Sequence, residues 1–304
     1  MKKTIGLLFG LLITLSVSAQ LKIEKTDEGV LVTEDNQKVL FYQVEQKNHD
    51  GEYERCNYIH PLWGLDGNVL TEDFPADHLH QRGIFWAWHQ ILIDGKSIGD
   101  GWAIKNYEQE VTYTNVKTLK NGAAVLKTQV DWKSDKWMLD GLKIPYLREN
   151  ATITIYPKKR NYRKIDFEIS LLALADNLQI GGADNEKGYS GFSARIVLPE
   201  DVKFSGPAGE ITPVNLAVQS EGFVNISGAF GKNGKQAGLV IIDNPQNPMY
   251  PQEWILRSAK SMQNPVFPGR VPVAVSTKKP LVLKYSLLIY SGEMSTKKIE
   301  KIIR

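Results

Sequence analysis

Cysteine is almost absent from this 304-residue chain: Cys56 stands alone, so no intramolecular disulfide can form and the fold must hold by burial, which a chain of this length can supply. No activating motif surrounds Cys56, and it reads as a small buried hydrophobe rather than a nucleophile. Beyond residue 17 no stretch approaches the roughly 18–20 consecutive apolar residues of a bilayer helix, which excludes a helical membrane protein. An excess of either charge is missing too. The net charge is +3 and falls to +1 without Lys2 and Lys3, so there is no basic stripe to drive binding to nucleic acid or anionic lipid by counterion release. Histidine is missing from everything but one short segment: all five lie between His49 and His89.

What is present begins with Met1-Lys2-Lys3, an apolar run from Ile5 to Val17, and Val17-Ser18-Ala19. A short basic head, an apolar segment and small residues at −3 and −1 make a secretory signal peptide cut after Ala19. No cysteine follows to carry a lipid anchor. The expectation is a periplasmic or secreted protein, with residues 20–304 forming a single domain.

Across that domain, short Val-, Ile-, Tyr- and Thr-rich segments alternate apolar and polar residues, which is the period of strands. They include 39–44, 111–116, 123–132, 151–156, 165–172, 192–198, 223–230, 237–242 and 281–290. Asn121-Gly122, Asp140-Gly141 and Asn233-Gly234 separate them, dipeptides that supply the positive φ angles of tight reversals. One helix is predicted, at the tail, where Ser295 or Thr296 caps a stripe of Ile299, Ile302 and Ile303. The fold class is all-β: an extended two-sheet antiparallel β-sandwich with a short C-terminal helix.

The histidine segment carries the strongest chemical signal. It reads Tyr58-Ile59-His60-Pro61, then Asp77-His78-Leu79-His80-Gln81-Arg82-Gly83 and Trp86-Ala87-Trp88-His89. An extended backbone there would put His78, His80 and Arg82 in one row with Leu79 facing the core. The row suits general acid–base work by an imidazole with Arg82 stabilising an oxyanion; it also suits metal binding by His78 and His80, or buried histidines satisfied beside tryptophans. A Gly-rich turn at 181–191 offers Glu186 as a partner carboxylate, and it leads into Arg195, a charge on a strand that needs a partner if buried. Further on, Asp243-Asn244-Pro245-Gln246-Asn247-Pro248, Trp254, Arg257 and Asn264 fit either fixed turns or the aromatic-plus-amide grip on a sugar.

Taken together and in this order, the His60-Pro61, His78-x-His80-x-Arg82-Gly83, Arg195, Asp243-to-Pro248, Trp254 and Asn264-Pro265 segments resemble a secreted bacterial family labelled methane oxygenase PmoA-like. Gln81 stands where that family more often has another histidine. The label conflicts with physics, since a membrane methane monooxygenase subunit crosses the bilayer many times and this chain offers no such span. The resemblance implies instead a sandwich of the galactose-mutarotase type in proteins found beside sugar-processing enzymes. The expectation is an exported carbohydrate-active enzyme (glycoside or keto-glycoside hydrolase, lyase or epimerase) acting on a small-molecule or oligosaccharide substrate without a cofactor. In it His78, His80, Arg82 and Glu186 do the chemistry, and His60, Trp86, Arg195, Asn247, Trp254, Arg257 and Asn264 hold the substrate. A non-catalytic carbohydrate-binding module and a metal-dependent enzyme using His78 and His80 as ligands are the alternatives.

Overall fold

The computed structural model describes residues 20–303, so the leader expected over Met1–Ala19 lies outside the described residues. Two nine-stranded antiparallel sheets dominate. The first runs in the order 21–25, 29–34, 37–43, 58–62, 84–88, 190–195, 262–265, 253–255 and 218–219; the second runs 108–118, 124–133, 147–155, 162–173, 281–291, 235–243, 223–231, 203–206 and 209–211. Neither closes on itself. A four-stranded sheet (273–274, 178–181, 90–93, 96–99) and two hairpins complete the strands. All nine segments predicted from alternation form strands, and the tail forms the predicted helix Thr296–Ile303, with the Ser295 hydroxyl accepting from Lys298 N. Among the described residues no helix is long and apolar enough to cross a membrane.

The large sheets pack face to face through aromatic rings. Trp86 and Phe192, paired across neighbouring strands of the first sheet, meet Phe167 of the second at centroid distances of 6.3 and 5.0 Å, and Phe192 stacks on Tyr285 at 4.8 Å. Strand 147–155 shows the rule behind the core: Leu147, Ala151, Ile153 and Ile155 alternate inward, and Glu149 shares their face. The strand Ile84–Trp88 breaks the alternation because both its faces are covered. Ile84, Trp86 and Trp88 join the main core, while Phe85 and Ala87 meet a separate cluster with Tyr58, Trp102, Met262 and Val266.

Gly83 sets the approach to that strand. Its φ is +36°, and a Cβ there would overlap the Ile59 carbonyl of the neighbouring strand. Gly83→Ala is therefore expected to destabilise the fold by about 2–4 kcal/mol, read in denaturant unfolding, from backbone strain plus overpacking. An unchanged midpoint would mean that the turn relaxes freely.

Candidate active site

Residues 75–81 are not extended. Two successive turns, closed by His78 N donating to Pro75 O and Gln81 N donating to His78 O at 2.9 Å each, carry the histidines, and Leu79 is half-buried rather than in the core. Pro75 and the short polar residues Asp77 and His78 favour turns over a ladder. The expected row is thereby corrected: His78 and His80 remain neighbours, with rings 5.7 Å apart and edge to face, but Arg82 leaves them.

Arg82 is fully buried, and both of its terminal nitrogens are occupied. Its Nη1 donates to Asp73 Oδ1 at 3.0 Å and to the Tyr58 hydroxyl at 3.3 Å, Nη2 donates to the Lys47 and Tyr53 carbonyls, and the guanidinium lies over the Phe74 ring. It pins the hairpin 47–55 to the sheet and cannot stabilise an oxyanion beside His80. His60 belongs with this network, its Nδ1 2.9 Å from Thr71 Oγ1. Burial, outweighing the nearby Asp73, lowers its pKa.

Arg195 takes the place under the histidines that Arg82 was expected to hold. Also buried, it donates from Nε to Glu72 at 2.5 Å, from Nη1 to Gln81 Oε1 at 2.9 Å and from Nη2 to Asp77 Oδ1 at 2.8 Å. The other Asp77 oxygen lies 2.7 Å from His78 Nδ1. Burial pushes the Asp77 carboxyl up, but hydrogen bonds from Arg195 and His78 outweigh it and hold the group at about 2. An ionised carboxylate only accepts, so His78 donates from Nδ1, and in the neutral imidazole that leaves the lone pair on Nε2. Gln81 serves here as an acceptor for Arg195.

A second pair stands close by. His89 Nδ1 lies 2.9 Å from Asp100 Oδ2, the other Asp100 oxygen accepts from the Trp102 and Ala103 amides, and the His89 ring stacks on Trp102 with centroids 5.4 Å apart. Trp102 in turn touches Tyr189 at 5.9 Å, whose hydroxyl accepts from Arg257 Nη2 at 3.1 Å. His80 packs beside the first pair, its ring 5.7 Å from that of His78, and the charges of the second act on it. Burial, then the fields of His78, Arg55 and His89, lower its pKa to about 4, so it is neutral at pH 7.

The remaining expected residues do not converge here. Trp86 and Trp254 are core groups whose indole N–H bonds go to Glu149 Oε1 and to the Ser220 carbonyl at 2.8 Å each; neither offers a face to a sugar. Asn247 bonds Asp243 and both backbone groups of Lys284, and Asn264 bonds the Ser190, Phe192 and Pro265 carbonyls; both are buried turn and ladder fasteners. Glu186 is exposed in its turn and hydrogen-bonds neither His78 nor His80. Arg257 bonds the Val214 and Asn215 carbonyls and reaches the site through Tyr189 alone. Among the described residues no group of three or more His, Cys, Asp and Glu side chains is arranged to hold a metal ion. Cys56 is buried, its thiol pushed up to about 12 by burial, so it has no nucleophilic thiolate.

Asp77, His89, Asp100, Trp102 and Tyr189 are the members that sequence reasoning missed. Asp77 and His89 sat within the histidine segment, one residue from His78 and one from Trp88. Asp100 and Trp102 come from a loop with no distinguishing composition, and only the fold brings them in.

No curated protein matches the chain. Residues 29–304 match a family described as a family of unknown function (DUF6807), and the chain belongs to that family.

Proposed function

We propose that the protein is an exported carbohydrate-active enzyme that works by acid–base chemistry at His78 and His80. The observation that carries this reading is the Arg195–Asp77–His78 chain beside a neutral His80. Asp77 fixes the tautomer and leaves His78 Nε2 as a base, while the neutral His80 offers an N–H donor that needs no protonation to polarise an oxygen. This pairing suits proton removal next to a carbonyl. The substrate C–H proton passes to His78 Nε2, and the electron pair moves onto the carbonyl oxygen, held by the His80 N–H. Collapse of the enolate expels a β-oxygen substituent, which leaves as the alcohol by taking the proton from His78 Nε2, and gives elimination; protonation of the enolate from the opposite face by water, with His78 releasing its proton to solvent, gives epimerisation.

A keto-sugar or keto-glycoside supplies the acidic C–H, and the resemblance to mutarotase-type sandwiches supports a sugar substrate. The leader Met1–Ala19 supports a periplasmic or secreted location.

The test incubates mature protein with glycosides and their 3-keto derivatives, with and without chelator, alongside His80→Ala. The expected result is turnover of keto-substrates, insensitive to chelator and reduced about 10²–10⁴-fold in the variant. Sugar binding without turnover would leave a non-catalytic module; loss of turnover with chelator would make the histidines metal ligands.

A further inference from the structure

The interior holds a polar group that the His78 chemistry does not use. Arg55, at the end of strand Glu52–Arg55, is buried against the Phe85 ring at 5.2 Å, and its Nη2 donates to the Gly101 carbonyl. Its Nε and Nη1 have no partner among the described residues; neither do the buried hydroxyls of Tyr107 and Tyr146, nor either side-chain polar atom of Gln109. Arg55 and Tyr107 meet at Gly101: Arg55 donates to its carbonyl, and the Tyr107 ring stands 3.1 Å from where a Cβ on Gly101 would sit. Tyr107 and Tyr146 both border Trp132, the first ring against ring at 5.5 Å and the second with its backbone N donating to the Trp132 carbonyl at 3.0 Å.

Arg55 keeps its charge, since burial lowers its pKa only to about 10. Glu149 is no ion-pair partner for it: its oxygens are taken by Asn57, Trp86 and Trp132. A buried, uncompensated guanidinium surrounded by unpaired donors calls for an anion. A cavity of about 410 Å³ reaches this group at Tyr107, with Gln46 and Tyr53 also in its lining and Arg55 and Tyr146 behind it.

We propose that Arg55, Tyr107 and Tyr146 form a buried site for a small monovalent anion, a halide or a single carboxylate, entered through this cavity. Arg55 supplies the charge and the two phenols supply O–H donors. The rim sets the selectivity. Glu52, Glu54, Glu108 and Asp135 outnumber Lys105 and Lys143 there, a negative field that opposes phosphate more strongly than a monovalent anion, so the attraction that retains the ion comes from Arg55 alone.

Thermal unfolding of the mature protein at fixed ionic strength tests this, with chloride, bromide, acetate and phosphate as separate arms and bromide-soaked crystals for anomalous scattering. A saturable rise in Tm of about 5 °C at hundredfold excess over Kd is expected in halide or acetate, with none in phosphate. A response to halide alone assigns an inorganic ion; a response to acetate alone assigns a ligand carboxylate. Because Arg55→Met risks not folding, the Tyr107→Phe/Tyr146→Phe double variant is the control, and it should lose most of the response. A Tm indifferent to anion identity, water alone beside Arg55, or an undiminished response in the double variant overturns the site.

Discussion

Replacing Glu149 with leucine is expected to destabilise the protein by about 3–5 kcal/mol, read as a lower denaturant midpoint, because three buried donors lose their acceptor at once. Glu149 Oε1 accepts from Asn57 Nδ2 at 2.9 Å and Trp86 Nε1 at 2.8 Å, and Oε2 accepts from Trp132 Nε1 at 3.1 Å. Asn57 and Trp86 come from the side of the first sheet, Trp132 and Glu149 from the second, so this carboxyl ties the layers together at their centre. Its pH signature has a definite sign. Burial, opposed by the three donors, raises the folded-state value to about 7 from 4.5, so the folded protein binds a proton that the unfolded chain has released between those values. Stability from this group is greatest below pH 4.5 and declines as pH rises to 7, then stays level. Asp243, raised mainly by burial to about 6, acts in the same direction from pH 3.8 upward. Glu149→Gln should flatten the decline between pH 4.5 and 7, although its amide turns a donor toward one of the three N–H groups. A decline unchanged in this variant would assign the pH dependence elsewhere.

Alternation made most of the sandwich legible, and it held more than was read from it. Ala151, Ile153 and Ile155 mark the inward face of their strand, and counting two residues back lands on Glu149; starting the strand at 151 hid a carboxyl at the heart of the core. The same two-residue rule failed at His78-Leu79-His80, because Pro75 and Asp77 favour turns and the chain there links two strands instead of forming one. Arg82 and Arg195 illustrate a further limit. Both are buried guanidiniums on or beside strands, and nothing local says which carboxylate each will meet: Asp73 nine residues from Arg82, or Asp77 and Glu72 more than a hundred residues from Arg195. Trp86 and Trp254 looked like sugar platforms by residue type alone, and only the position of each indole N–H, turned to a core carboxyl or a carbonyl, shows them to be packing.

Asp77→Asn is expected to lower kcat on a keto-glycoside about 10³–10⁴-fold while KM and the unfolding midpoint change little. The carboxylate contributes by holding one proton in place. As an ionised acceptor at 2.7 Å it keeps the His78 proton on Nδ1, whereas an amide can turn its NH₂ toward that nitrogen and stabilise the other tautomer, leaving no lone pair on Nε2 for the substrate. Arg195→Lys should act on the same quantity one step removed. The guanidinium holds Asp77, Gln81 and Glu72 together through three nitrogens, and a single ammonium cannot reach all of them, so Asp77 loses its fixed orientation. The loss should again fall on kcat, with Asp77→Glu recovering part of it because the longer carboxylate still accepts from Nδ1. A merely structural Arg195–Asp77 pair would predict the reverse pattern: a lower midpoint in both variants with the activity of the folded fraction intact. Full turnover in Asp77→Asn would remove His78 as the base and, with it, the acid–base reading of the site.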